Sequence, residues 1–363
     1  PWMVYSDSQG GQTYVMNLKT NVSKQNPPYP KDLSSTGSAI ACYKYRFNWN
    51  TPIVRSPHDP KKIYMGGNVL FSTVDHGQSW AVLSPDLTTN DKSKQQSSGG
   101  DIVVDNTAAE FHCTILAIAE SPVTPGVIWV GTDDGNLQLT RDNGKTWTNV
   151  IKNVPNIAPN SWIPNIDASP FNAGEAYVAF DRHRDNDFTP HVYKTTDFGK
   201  TWTEITSDLP TLGYVHVVRS DIKQKGLLFA GTELGVFASW DDGRHWQSLR
   251  NGLAAMPVVE TLVHPKTNDL IIATHGRGMF IMDDISALQN LQPAMQATAP
   301  ATLFDVRPAI RWNFWNKDGN LGQKIWRGQN PPEGALITYY LKTQPEHQVD
   351  VQIADASGRV VRR

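Results

Sequence analysis

The chain predicts an all-β fold: a β-propeller of about six recognisable four-stranded blade units, the first one partial, followed by the start of a β-sandwich. Three observations in its 363 residues carry this. The pattern Ser/Thr-x-Asp-x-Gly-x-x-Trp occurs four times, beginning at Thr73, Thr140, Thr195 and Ser239. Upstream of each copy lies a second repeat, a strand, a Pro- or Gly-containing turn and then a strongly apolar strand, as in Ser56 to Gly66 and Ser121 to Gly131. The composition, with 12 Trp, 11 Tyr, 27 Gly and 24 Pro, suits aromatic-rich strands separated by many turns.

The four-fold pattern reads as structural. Asp-x-Gly supplies a tight turn in which the carboxylate accepts backbone N–H groups and the glycine takes positive φ. The tryptophan buries its ring in the blade and satisfies its indole N–H locally. Asp75 and Trp80, Asp142 and Trp147, Asp197 and Trp202, and Asp241 and Trp246 are therefore expected to staple strands rather than perform chemistry. The fourth copy has His245 where the others carry Ser79, Thr146 or Thr201, so one stapling bond is expected to be lost there.

Taken in order, the units span about 46–109, 110–160, 161–213, 214–257 and 258–290, each an inner strand, an apolar second strand, a third strand, the turn and a short outer strand. Trp2 to Ser6 aligns with Lys61 to Met65, so the first unit is partial and lacks its inner strand. The expectation is that an upstream part of the same protein completes the propeller, residues 1–290 being its C-terminal part. Gly278 to Asp284 is a third strand, Ile285 to Leu291 a short helical exit, and 291–332 a linker with a closing strand over 302–307. Trp312, Trp315 and Trp326 receive no assignment. Residues 333–363, with alternation over Ala335 to Leu341 and Val349 to Ile353, read as the beginning of an incomplete Ig-like β-sandwich.

The net charge of −2 is too neutral for nucleic-acid binding by counterion release. No apolar run reaches the length of a membrane span. No nucleotide, flavin or haem motif is present, and no cofactor is expected. Cys42 and Cys113 lie in neighbouring repeats, as a disulfide or as two buried thiols. Glu110, His112 and Cys113 without a second spaced pair make a poor zinc site, so no metal is expected.

The four turns are Asp-boxes, the hairpin signature of sialidase-like, sortilin-like and xyloglucanase-like propellers. The stretches Tyr45 to Ile53, Gly66 to Phe71, Ile128 to Gly135 and Ala273 to Gly278 resemble bacterial sortilin-like BNR-repeat propeller proteins, often labelled glycosyl hydrolases, and more distantly xyloglucanase-type glycoside hydrolases. The resemblance implies an extracytoplasmic protein, periplasmic, cell-surface or secreted. It implies a module that binds peptide or glycan, a glycoside hydrolase using two loop-face carboxylates, or a structural component of a surface assembly.

Propeller geometry places the boxes on one face and any ligand on the other, where chains approach the inner strands and second strands turn into third strands. Candidate catalytic residues on that face are Glu110, Asp133, Asp134, Asp181 and Asp187. Candidate ligand-binding residues are Arg46, Asn48, Trp49, His112, Trp162, Arg182, His183, Arg184, Tyr214, His216, Glu260, His275 and Arg277. Counting back from each Ser-Pro or its equivalent puts Asn165, His216 and Glu260 in one inner-strand column. Phe180 to Phe188 is a charge-dense loop, either over the channel or paired with itself. Ser84 to Asn106 reads as a lid or a mobile loop.

Overall fold

The computed structural model describes residues 2–30, 40, 43–100, 102, 104–105, 109–250, 252–311 and 333–362. Cys42, and with it the disulfide question, lies outside these residues, as do Trp312, Trp315 and Trp326. The chain divides into two compact units, Pro1–Val263 with Ile271–Phe280, and His264–Leu270 with Ile281–Arg363.

Six antiparallel sheets follow one another as propeller blades. Blade one is Met3–Asp7, Thr13–Asn17 and Val22–Gln25. Blade two is Ile53–Arg55, Ile63–Gly66, Leu70–Thr73 and Ala81–Val82. Blade three is Ile115–Glu120, Ile128–Thr132, Leu137–Thr140 and Thr148–Asn149. Blade four is Trp162–Ala168, Ala176–Asp181, His191–Thr195 and Thr203–Glu204, and blade five is Val215–Ser220, Leu228–Thr232, Gly235–Ser239 and Gln247–Ser248. Blade six has the three strands Val258–Val263, Leu270–Thr274 and Met279–Met282. The core is made between blades, by side chains that alternate along each second strand. Tyr64 of blade two packs with Ile128 and Val130 of blade three. Trp129 packs with Ala176 and Val178, and Tyr177 with Leu228 and Ala230. One blade's second and fourth positions thus meet the next blade's first and third.

Three of the Asp-boxes close with the same bonds, and the fourth lacks one of them. In blade three, Thr140 Oγ1 donates to Asp142 at 2.8 Å and accepts from Gly144 N at 2.9 Å. Asp142 also accepts Thr146 N at 2.9 Å and Thr146 Oγ1 at 2.6 Å. In blade five His245 has no hydroxyl to give Asp241, which keeps the bonds from Ser239 Oγ and His245 N, and the imidazole lies 3.0 Å from Asp208 instead. Three of the indoles reach backwards across the blade boundary, Trp80 donating to Asn26 O, Trp147 to Leu83 O and Trp246 to Ile205 O, while Trp202 donates to Gly199 O in its own turn. The box turn therefore clasps the preceding blade as well as stapling its own.

Pairing corrects one register. Ala117, Asn165 and Val217 share a column, each opposite the fourth position of the second strand, Gly131, Ala179 or Gly231. His216 sits one residue earlier, outside the column. The physical reason is that Asp221, not Ser220, replaces the turn serine: Asp221 Oδ1 accepts Lys223 N and Gln224 N as Ser121 Oγ accepts Val123 N and Thr124 N.

In the second unit Ser286–Gln289 and Leu291–Gln296 are helical, the latter inside the expected linker. Ala301–Leu303 pairs antiparallel with Tyr339–Leu341, and Ile353–Ala354 with Val360–Arg362. No described helix is long and apolar enough to cross a membrane.

Candidate functional site

In blades three, five and six the face opposite the boxes is held by a bond between the second-to-third-strand turn and the approach to the inner strand. Asp133 N donates to Thr114 O, Glu233 N to Tyr214 O and His275 N to Pro257 O. On the other face, Asn143 N, Phe198 N and Asp242 N of the boxes meet Gly126 O, Gly174 O and Gly226 O. The two faces are thereby separated, and the box carboxylates lie away from the loop face.

Each candidate carboxylate on the loop face has partners. Asp133 is buried and accepts Thr114 N at 2.8 Å, Thr114 Oγ1 at 2.7 Å and Asn48 Nδ2 at 3.2 Å. His112 Nδ1 stands 3.6 Å from it. Burial pushes the Asp133 carboxyl up to about 6, against the pull of His112 and the Thr114 bonds. Asp134, also buried, accepts Thr132 Oγ1 at 2.6 Å and both Thr89 N and Thr89 Oγ1 at 2.7 Å. Asp181 lies 2.6 Å from His183 Nδ1 and 3.2 Å from Arg184. Asp187 pairs with Arg182 at 3.0 Å and His191 at 3.0 Å. Burial raises Asp187, but the bonds from Thr189 and His191 outweigh it and hold the carboxyl at about 2. Glu110 bridges Asn48 through backbone pairing and takes Ala109 N at 3.4 Å.

The rings and cations form a chain across blades. His112 lies against Trp162 with centroids 6.2 Å apart, and the Arg184 guanidinium sits 3.6 Å above the Trp162 centroid. Asp181 joins Arg184 to His183, whose ring stacks on Tyr214 at 4.7 Å. Tyr214 meets His216 at 4.8 Å, and His216 Nε2 lies 2.9 Å from Glu233. Burial, with the Glu233 charge beside it, raises the Tyr214 phenol to about 12. Phe188 adds an edge 6.4 Å from Tyr214. Trp49, Phe188, Arg184, His275 and Arg277 are exposed.

The remaining candidates are occupied within the fold. Arg46 is buried and bonds Asp86 at 2.7 Å and Cys113 O at 3.2 Å. Asn48 Nδ2 also bonds Phe111 O at 3.0 Å. Glu260 accepts from Arg219 Nε at 3.0 Å and Nη2 at 2.9 Å. The Phe180 to Phe188 loop is paired with itself, Arg182 also reaching Asp185 at 3.6 Å. The first part of the Ser84 to Asn106 stretch is pinned, with Leu87 and Gln95 buried and Thr89 on Asp134. Among the described residues no group of three or more His, Cys, Asp or Glu is placed to hold a metal ion. Sequence reasoning missed Thr89 and Asp86 as partners, which only their polar character inside a loop signalled, while Glu233 stands in a second-to-third-strand loop expected on this face.

A cavity of about 330 Å³ lies beside this network, lined by Asp134, Asn136, Lys152, Val154, Ile157 and Asn160 among others.

No family model matches the chain. A probable oligoxyloglucan-reducing end-specific xyloglucanase of Neosartorya fischeri is 35% identical over 89 residues, 24% of this chain and 10% of that enzyme. Among solved structures, a GH74 xyloglucanase from Xanthomonas campestris superposes with a TM-score of 0.53 at 15% identity, covering 78% of this chain and 43% of that one. The extracellular domain of a putative hybrid two-component system from B. thetaiotaomicron gives a TM-score of 0.49 at 11% identity, covering 77% and 31%. The first of these structures carries the propeller fold. The chain spans less than half of the xyloglucanase it superposes on, and the stretch matched in the curated enzyme is a tenth of that enzyme.

Proposed function

We propose that the loop face binds a glycan outside the cytoplasm. The observation that supports this most is the unbroken run from His112 through Trp162, Arg184, Asp181, His183 and Tyr214 to His216, a preformed wall of rings and cations crossing blades three to five. Sugar rings stack on aromatic faces, and guanidinium and imidazole groups donate to hydroxyl oxygens, so a wall held by its own ion pairs binds with little ordering penalty. Exposed Phe188 extends it beside Tyr214, and exposed Trp49, next to the Asn48 whose side chain bonds Asp133, offers a second stacking surface on the same face. The partial likeness to a xyloglucanase in sequence supports a β-glucan as the ligand.

A second reading, glycoside hydrolysis, has the same likeness in its favour. It needs two carboxyl groups roughly 5–10 Å apart that reach the substrate. Asp133 and Asp134 are buried and bonded, and Asp181 and Asp187 are held by cations, which favours binding over hydrolysis. Reducing-sugar release and retention on immobilised β-glucan, measured on one preparation, separate the two. Retention without release is expected; release that vanishes in Asp181→Asn or Asp187→Asn would replace the binding reading with hydrolysis.

A further inference from the structure

Two carboxylates of the loop face are each shared between an imidazole and a guanidinium. Asp181 lies 2.6 Å from His183 Nδ1 and accepts His183 N at 3.0 Å through one oxygen, while its other oxygen accepts Arg184 Nη1 at 3.2 Å. One oxygen of Asp187 accepts Arg182 Nη1 at 3.0 Å and lies 3.0 Å from His191 Nε2. His216 Nε2 stands 2.9 Å from Glu233, and Arg182 also reaches Asp185 at 3.6 Å. Asp181 is buried, whereas the Arg184 side chain above the Trp162 ring is 47% exposed.

Sharing makes the charge of this patch depend on its imidazoles. While His183, His191 and His216 are neutral, two guanidiniums stand against the four carboxylates Asp181, Asp185, Asp187 and Glu233, and the patch is net negative. With all three rings protonated the cations outnumber the carboxylates and the sign reverses. Imidazole makes that change within roughly pH 5–8. At Asp181 a protonated His183 then supplies the compensating charge, and the Arg184 guanidinium is left over, planar and exposed. The other groups around His183 leave this intact. Tyr214, on which its ring stacks, is raised to about 12 by burial and the Glu233 charge and stays neutral. Arg250, whose stem lies over Gly235, makes no ion pair among the described residues. His112, against Trp162, has Asp133 at 3.6 Å, and proton uptake by that pair adds charge of the same sign.

Resting on the reading of this face as a glycan site, we propose that the shared carboxylates make it a pH-dependent selector of glycan class, which takes neutral sugars at neutral pH and admits acidic sugars, those carrying a uronate carboxylate, at about pH 5. A uronate is an ordinary carboxylate and is ionised at both ends of this range. At neutral pH the net negative patch repels it. In acid Arg184 offers it two parallel N–H donors, while the rest of the sugar lies along the wall of rings. A neutral glycan carries no charge for the patch to repel or attract, so its affinity moves little.

The test is calorimetric titration at about pH 5 and about pH 8, with cellotetraose as the neutral probe and its C6-oxidised tetraglucuronate as the acidic one. The tetraglucuronate should bind about tenfold tighter in acid, the worth of one charge-assisted contact, and cellotetraose should change by no more than about twofold. His183→Gln keeps a donor for Asp181 but cannot take up a proton, so most of the acid gain should vanish. Asp181→Asn frees Arg184 at every pH and should carry the tight binding of tetraglucuronate up to about pH 8. The two variants shift the profile in opposite directions, so if circular dichroism shows one of them unfolded the other still decides. Cellotetraose binding with no acid gain for tetraglucuronate, or a gain that survives in His183→Gln, would overturn the selector and leave the glycan reading standing. Binding of neither probe at either pH would remove both.

Discussion

Trp147 donates its indole N–H to the carbonyl of Leu83 at 3.3 Å, and the Gly144 Cα in the same turn points at that carbonyl so closely that a Cβ there would lie 2.5 Å from the oxygen. Leu83 follows the outer strand of blade two, where Leu83 N bonds Leu70 O. The Asp-box of blade three is thus a joint with blade two. Gly77 lies likewise against Asn26, with the Asn26 carbonyl oxygen 3.1 Å from where a Cβ would stand, whereas Gly199 and Gly243 lie against the side chains of Val150 and Ile205.

Gly144→Ala is expected to destabilise the protein by about 1–3 kcal/mol, since the new methyl meets a backbone oxygen at φ +89°. Chemical denaturation read at the tryptophans measures it. A loss near zero would mean that the joint gives way freely.

Trp147→Phe keeps a ring and removes the indole donor shared between Leu83 O and Gly144 O. The expected loss is about 1 kcal/mol, that of one net hydrogen bond. His245→Thr works in the opposite direction, returning a hydroxyl to Asp241 while giving up the exposed contact with Asp208. A gain of about 0.5–1 kcal/mol in the melting free energy is expected.

Acid should loosen the boxes. Bonds from Thr146 hold the Asp142 carboxyl at about 2, below its ordinary 3.8, and those from Ser79 do the same for Asp75. A depressed folded value means that the stabilisation is complete above the unfolded value and is lost as pH falls through the folded one. Stability should therefore decline between about pH 4 and pH 2, and Asp142→Asn should flatten part of that decline while lowering stability at neutral pH. Equal pH slopes in the two proteins would contradict the assignment.

Much of the fold was legible because repetition makes each blade a check on the next. The box residues announce their own turn chemistry, and the apolar second strands announce the core. The clasp also had a signal that was not read: an apolar residue stands three places after every box tryptophan, at Leu83, Val150, Ile205 and Leu249. The His216 register failed because Asp221 and the turn serines offer the same acceptor to the same backbone donors, and a serine happens to precede Asp221. The loop face was legible only as a set of residue types. Which carboxylate meets which cation depends on contacts between distant segments, such as Thr89 on Asp134 and Asn48 on Asp133, that no local pattern encodes.

The most direct test of the loop-face account is calorimetric titration of the protein with xyloglucan oligosaccharides, run beside Arg184→Ala, Trp49→Ala and the box variant Asp142→Asn. The account predicts saturable binding that weakens about tenfold or more in the first two, in line with loss of about 1.4 kcal/mol or more, and is unchanged in the folded box variant. Binding that is absent from the unsubstituted protein, or indifferent to Arg184 and Trp49, would contradict it.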